Sequence, residues 1–100
     1  MELGFDDVER VTFRESRFCL TGEFAYAERP QCEDLISSRG GIVGGVTKKL
    51  NYLVVGQRGS VEWKHGSFGT KLAKALEYKQ KGVPLLIVPE SVWASSLSSH

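Results

Sequence analysis

The sequence predicts a single α/β domain, and two observations support that prediction. Short apolar runs that end in glycine, typical of buried strands, alternate with segments whose apolar residues recur at helical spacing. A chain of 100 residues is long enough for one compact domain, and no repeat or low-complexity linker divides it. The elements follow in the order strand, helix, strand, strand, helix, strand, helix.

The first strand and the first helix lie in the first 41 residues. Residues 18–20 are apolar, and Thr21-Gly22 ends the run, which predicts a buried strand leading into a loop. A helix is predicted over residues 30–39, because proline suits a first helical turn and the apolar residues that follow fall on one face. Gly40-Gly41 ends this helix, and residues 42–46 predict a second, weaker strand.

Residues 52–55 give the strongest strand signal, because they are aromatic and β-branched without polar alternation. Only about five residues separate this strand from the second one, and parallel pairs need longer crossovers, so patterning alone predicts an antiparallel hairpin. The polar stretch over residues 57–69 is long for a compact domain, and we expect it to be functional or mobile.

One strand and two helices complete the predicted fold. Thr70 can cap a second helix, and Gly82 ends it. The predicted core face of that helix consists of Leu72, Ala75 and Leu76. Residues 85–88 predict a fourth strand, and a last short helix begins at residues 89–91 and brings Trp93 against the sheet.

Composition excludes several classes of protein. No apolar run is long enough to cross a bilayer, and the acidic residues 1–10 lack the order of an export signal, so we expect a cytoplasmic protein, associated with the nucleoid if it is bacterial. Cys19 and Cys32 fall in apolar surroundings typical of reduced, buried thiols. With two scattered histidines they make a poor zinc site, so we expect no metal.

The net charge of +1 conceals an asymmetry along the chain. Residues 1–40 carry nine acids against five bases, whereas residues 41–100 carry eight bases against three acids. The second part of the chain is therefore the better candidate for a surface that faces an anion.

Five blocks of residues resemble the BRCT family, because they follow one another in the order and at the spacing that is typical of that family. They are Phe18-Cys19-Leu20-Thr21-Gly22, Gly40-Gly41, Thr47 before Tyr52-Leu53-Val54-Val55-Gly56, Gly69-Thr70-Lys71-x-x-Lys74-Ala75 with Gly82, and Glu90-x-x-Trp93. The resemblance is strongest to the class found in bacterial NAD-dependent DNA ligases and in the large subunit of replication factor C.

The resemblance implies a four-stranded parallel sheet flanked by three helices, two on one face and one on the other, in place of the hairpin. It implies a single BRCT domain over residues 17–97, preceded by an extension over residues 1–16 and followed by a tail over residues 98–100.

A phosphate needs donors that converge from several directions, and three residues supply such a set. Thr21 offers a hydroxyl at the carboxyl end of a strand, where open α/β sheets bind ligands. Gly22 lets its amide approach without a side chain, and Lys71 adds a cation in the first turn of the second helix. The phosphate-binding residues of the resembled family fall on these same three positions.

Further cations are candidates for contacts with DNA. Arg29 matches an arginine that DNA-binding members of the family place at the start of the first helix, although it could instead be solvated and paired with Glu28 or Glu33. The other candidates for contacts with neighbouring phosphates are Lys48, Lys49, Arg58, Lys64 and Lys74.

Enzymatic interpretations are poorly supported. The stretch over residues 66–71 is similar to a P-loop, but its lysine comes last, and no catalytic Ser, His and acid set stands out. We therefore expect no catalytic activity and no cofactor, although the chain could be part of, or accessory to, a DNA ligase or a related enzyme.

The sequence predicts a monomeric, non-catalytic module that recognises a phosphate. The leading hypothesis is binding to the 5′-phosphate of a DNA end or nick in replication or repair. The alternative is a protein-interaction module that binds a phosphopeptide or a repair partner, and a third is a scaffold whose pocket no longer binds.

Overall fold

The computed structural model describes residues 8–56 and 66–98, with backbone only for residues 66–70 and Ser98. Within these residues four strands form one parallel sheet in the order β2-β1-β3-β4, and three helices flank it. The elements are β1 (Arg17–Thr21), α1 (Arg29–Ser38), β2 (Ile42–Val43), β3 (Tyr52–Val55), α2 (Gly66–Gln80), β4 (Leu86–Pro89) and α3 (Glu90–Ser98).

The predicted hairpin between the second and third strands is wrong, because β1 lies between β2 and β3 and pairs in parallel with both. The short connection is sufficient because β2 has only two residues. The Gly44 N–H donates to the Phe18 carbonyl at 2.9 Å on one side of β1. On the other side the Asn51 N–H donates to the Arg17 carbonyl at 3.0 Å. The chain therefore crosses the start of β1 in a few residues.

The side chains of β1 alternate between two layers, as expected for a strand covered on both faces. Phe18 and Leu20 join one buried cluster with Cys32 and Ile36 of α1 and with Trp93 of α3. The second cluster contains Cys19 from β1 with Leu53, Val55, Ile87, Leu72 and Ala75. Helices α1 and α3 therefore cover one face of the sheet and α2 covers the other, which confirms the predicted fold class.

Two boundaries differ from those predicted. The second strand stops at Val43, because Gly44 and Gly45 bring no side chain to pack and face open space. Helix α2 begins at Gly66, so Thr70 lies inside the helix and does not cap it. Each glycine destabilises a helix by only about 1 kcal/mol. Gly66 and Gly69, which indicated a loop in the sequence, are therefore tolerated in α2.

One side chain of α2 also differs from its prediction. Leu72 and Ala75 are buried as expected, but Leu76 is 38% exposed. Because the helix begins at Gly66, Lys71 lies in its second turn and not in the first. Its amine still reaches the sheet, where it donates to the Leu20 carbonyl at 3.4 Å.

The residues that precede β1 pack onto the layer that contains α1 and α3. Val11 is 3% exposed, and its N–H donates to Ser96 Oγ at 3.0 Å. The Phe13 ring stacks on Phe18 with 5.4 Å between centroids. This segment therefore contributes to the core, and the predicted domain boundary at residue 17 stays a prediction.

Candidate phosphate-binding site

The shortness of β2 leaves a gap at the edge of the sheet, beside the end of β1. Carbonyls two residues apart on a strand point to the same side, so the Leu20 carbonyl points the same way as that of Phe18. The Phe18 carbonyl has a main-chain donor in Gly44, but β2 ends before it reaches Leu20. The Leu20 oxygen instead accepts from Arg29 Nη1 at 3.0 Å and from Lys71 Nζ at 3.4 Å.

Arg29 is the first residue of α1, and its guanidinium binds two main-chain oxygens at once. Besides Leu20, it donates from Nη2 to the Gly22 carbonyl at 2.7 Å. Its Nε is buried without a hydrogen-bond partner in the part of the chain that the structure describes. No ion pair forms between Arg29 and Glu28 or Glu33, so the alternative of a solvated, carboxylate-paired arginine is wrong.

Lys71 reaches the same place from the opposite face of the sheet, because it extends from α2. Lys74 lies one turn further along the helix, where residues three apart are neighbours, and it is exposed. Its amine lies 6.0 Å from the centre of the Tyr78 ring. Helix α2 therefore presents a second cation next to the first.

Thr21 and Gly22 lie where β1 ends and the chain turns away from the sheet. Gly22 has a φ of 78°, in the left-handed region that favours glycine, and it is half-buried. Thr21 is only 2% exposed, and its carbonyl accepts from the Gly56 N–H at 2.8 Å. A ligand reaches its hydroxyl only if the groups above it move, so a direct role for Thr21 stays a prediction.

A cavity of about 510 Å³ opens beside Arg29. Its described lining consists of Gly22, Glu23, Phe24, Ala25, Ala27, Glu28, Arg29 and Gln31. Lys71 is not part of that lining, so the two cations approach Leu20 from different sides. The cavity is partly open to solvent, and its lining also includes two carboxylates, those of Glu23 and Glu28.

Glu90 holds the loop that forms this cavity, a role that the sequence did not reveal. Its carboxylate is 3% exposed and accepts from the Ala25 N–H at 3.0 Å and the Tyr26 N–H at 2.7 Å. These bonds join residues more than 60 positions apart, so no local pattern predicts them. The only available signal was the place of Glu90 three residues before Trp93.

Trp93 packs against the same loop. Its ring is fully buried and makes edge contacts with Phe24 and Tyr26 at centroid distances of 5.4 and 5.6 Å. The prediction that this tryptophan belongs to the core is confirmed. The loop that lines the cavity therefore packs on a fully buried core residue.

The pKa values of the two buried thiols depend on the charges around them. Burial raises the pKa of Cys19, and the nearby charges of Lys71 and Arg29 act in the opposite direction by favouring the thiolate. Burial also raises the pKa of Cys32, and the Glu90 carboxylate adds to that increase. The positive field of Lys71 and Arg29 therefore extends into the sheet at β1.

The remaining predicted DNA contacts are not gathered at this site. Lys48 and Lys49 are exposed in the turn before Asn51, which bonds to Arg17 at the start of β1. They therefore lie near the end of β1 opposite to Thr21. Arg58 and Lys64 lie outside the described residues. The structure brings together Gly22, Arg29 and Lys71, with Thr21 beneath them and Lys74 adjacent.

Residues 8–56 and 66–98, which the structure describes, contain no group of three or more His, Cys, Asp or Glu side chains placed to hold a metal ion. They also contain no helix whose length and apolar character would let it span a membrane.

The fold and the site define an α/β domain with two cations gathered at the edge of its sheet. No protein-family model matches the chain. A DNA ligase of Borreliella afzelii (strain PKo) is 36% identical to it over 87 residues. The match covers 79% of this chain but 12% of the ligase, so the similarity is to one small part of that protein.

Proposed function

We propose that this chain is a non-catalytic module of the BRCT type that binds the 5′-phosphate of a DNA end or nick. The observation that carries the proposal is the meeting of Arg29 and Lys71 at the Leu20 carbonyl. Two cations share one neutral oxygen, and neither forms an ion pair with a described carboxylate. An anion bound between them would relieve their mutual repulsion and gain charge-assisted hydrogen bonds.

The geometry around the two cations favours a phosphate over a smaller anion. Arg29 presents a planar fork of donors, and Lys71 presents an ammonium group from another direction. Gly22 leaves the approach free of a side chain. A phosphate has acceptor oxygens in enough directions to use all of these groups.

Similarity to part of a DNA ligase favours DNA as the source of the phosphate. Lys74 extends the positive surface along α2, where the next phosphate of a strand could bind. We expect binding to be dominated by phosphate contacts, independent of base sequence and weakened by salt. In a longer protein the module would hold a DNA end while another domain performs the chemistry.

Titration of labelled duplexes with and without a 5′-phosphate, at two salt concentrations, tests the proposal. We expect the phosphorylated duplex to bind more tightly. The variants Lys71→Ala and Arg29→Ala should each weaken its binding about tenfold or more, because one charged hydrogen bond contributes about 1.5–3 kcal/mol. Each should also reduce the slope of log affinity against log salt by about one.

Lys81→Ala is the matched control. It removes the same charge just beyond the far end of α2, where Lys81 is exposed and pairs with Glu77 at 3.0 Å. We expect it to lower the affinity slightly and to leave the preference for the 5′-phosphate unchanged. Equal affinity for the two duplexes would contradict the proposal, and tighter binding of a phosphoserine or phosphothreonine peptide than of either duplex would favour the protein-interaction alternative.

A further inference from the structure

The cavity beside Arg29 has an acidic rim. Glu23 and Glu28 both line it, and both are exposed. At about 510 Å³ the cavity is larger than one phosphate group requires. A nucleic-acid strand that crossed the whole cavity would bring its phosphates against these two carboxylates.

Charges of opposite sign therefore lie on the two sides of the candidate site. On the cavity side are Glu23 and Glu28, whereas Lys71 and Lys74 lie on the side of α2. Arg29 marks the boundary, because it lines the cavity and shares the Leu20 oxygen with Lys71. With this arrangement of charges, a bound strand is expected to extend toward Lys71 and Lys74 and away from Glu23 and Glu28.

We propose that Glu23 and Glu28 make the site selective for a terminal phosphate by repelling a strand that continues past it. The inference rests on the proposed function. A 5′-terminal phosphate has the strand on one side only, and that strand can leave over Lys71 and Lys74. An internal phosphate has further phosphates on both sides, so one side of the strand must pass the carboxylates. Like charges brought close together oppose binding.

The main chain that carries Glu23 and Glu28 is held by contacts with other parts of the fold. A Cβ added at Gly56 would lie 2.2 Å from the Glu23 carbonyl oxygen, so the two backbones are in close contact. The Glu28 N–H donates to Gln31 Oε1 at 3.1 Å where α1 begins. Between them, Glu90 binds the main chain of the loop through two further hydrogen bonds. The acidic rim is therefore attached to a fixed loop.

The test uses Glu23→Gln and Glu28→Gln, singly and together, with three DNA probes. The probes are a duplex with a 5′-phosphate, the same duplex without it, and a closed circular duplex. We expect each substitution to raise affinity for the circular and unphosphorylated probes about two- to fourfold, from the Coulomb energy of one charge across a solvated cavity. Affinity for the phosphorylated duplex should rise less, so the selectivity falls.

Glu15→Gln is the matched control, because it removes the same charge from an exposed acid far from the site. Glu15 lies at the opposite end of β1, where its N–H donates to the Gly40 carbonyl at 2.9 Å. It should leave the selectivity unchanged. The effect at Glu23 and Glu28 should shrink as salt screens the charges. Thermal unfolding of each variant checks that it folds. Because Glu28 is the N-cap of α1 and Glu23 lies outside that helix, Glu23→Gln tests the charge effect without changing the helix cap.

The outcomes separate this inference from the proposed function. If the unmodified chain prefers the 5′-phosphate but neither glutamine variant lowers that preference more than Glu15→Gln does, the acidic rim has no selective role and the inference is wrong. If the unmodified chain shows no preference for a 5′-phosphate, the proposed function and the inference both fail.

Discussion

Arg29 and Lys71 donate to the same acceptor, the main-chain oxygen of Leu20, at 3.0 and 3.4 Å. They come from helices on opposite faces of the sheet, so neither is placed there by the packing of the other. Placing two positive charges together costs free energy when no anion is bound. An anion bound between the two side chains would offset that cost.

Lys71→Met should weaken phosphate binding without a large loss of stability. The variant loses one long hydrogen bond but relieves the repulsion from Arg29. At low ionic strength we expect its free energy of unfolding to lie within about 1 kcal/mol of the unmodified value. Urea denaturation at low and high salt measures this. A loss above about 2 kcal/mol would mean that Lys71 is primarily structural.

Glu90→Gln should destabilise the loop over residues 23–28. The carboxylate accepts from two main-chain N–H groups, and an amide can present only one oxygen, so one donor would face an NH₂ group. We expect a loss of about 1–3 kcal/mol in denaturation and faster hydrogen exchange at Ala25 and Tyr26. Glu77→Gln, on an exposed acid, is the control and should cost less than about 1 kcal/mol. Unchanged exchange at both amides would contradict the role assigned to Glu90.

Gly56→Ala should be strongly destabilising, whereas Gly44→Ala should be nearly neutral. A Cβ at Gly56 would lie 2.2 Å from the Glu23 carbonyl oxygen, and the backbones must separate to admit it. Such overpacking costs about 1–3 kcal/mol. At Gly44 a Cβ meets nothing within 4 Å, so we expect a change within about 0.5 kcal/mol. Equal losses in thermal denaturation would show that the contact with Glu23 is not tight.

Alkaline pH should destabilise the fold through its two thiols. Burial raises the pKa of Cys19 and of Cys32 above the ordinary value of 9.0, so the unfolded chain releases these protons at lower pH than the folded chain. Stability from this source is therefore complete below about pH 8.5 and falls as the pH rises past 9.0. Urea denaturation between pH 7 and 9.5 checks the sign.

The double variant Cys19→Ala, Cys32→Ala is the control for this pH dependence. It should be less stable at pH 7, because it leaves small cavities, but its stability should change less over the same pH range.

In the unmodified chain, both thiols should resist a disulfide reagent at pH 8 until denaturant is added. Rapid labelling of the folded chain would contradict their burial.

The strands were predictable because they depend on local patterns, whereas the arrangement of the helices on the two faces was implied by the family resemblance. The apolar residues around Leu20 and Val54 can be buried on both faces only in the middle of a sheet, and they are. The position of β1 between β2 and β3 was not predictable from residue pattern, since it depends on a short chain crossing that local rules disfavour. The resemblance to a known family supplied that topology.

The candidate site was predictable only in part. Gly22 and Lys71 followed from the chemistry that a phosphate needs, and Arg29 followed from the family resemblance. The meeting point at Leu20 could not be foreseen, because it follows from β2 stopping at Val43. The loop anchor at Glu90 was also missed, because its hydrogen bonds connect distant parts of the chain.

The early end of β2 also bears on how the molecule behaves in a crowded solution. An uncovered strand edge offers its main chain to strands of neighbouring molecules, and natural proteins protect such edges with charge. Beside Leu20 that protection comes from Arg29 and Lys71, whose side chains occupy the oxygen that a foreign strand would use. We therefore expect the pair proposed to bind a ligand also to oppose edge-to-edge pairing of separate copies at this oxygen.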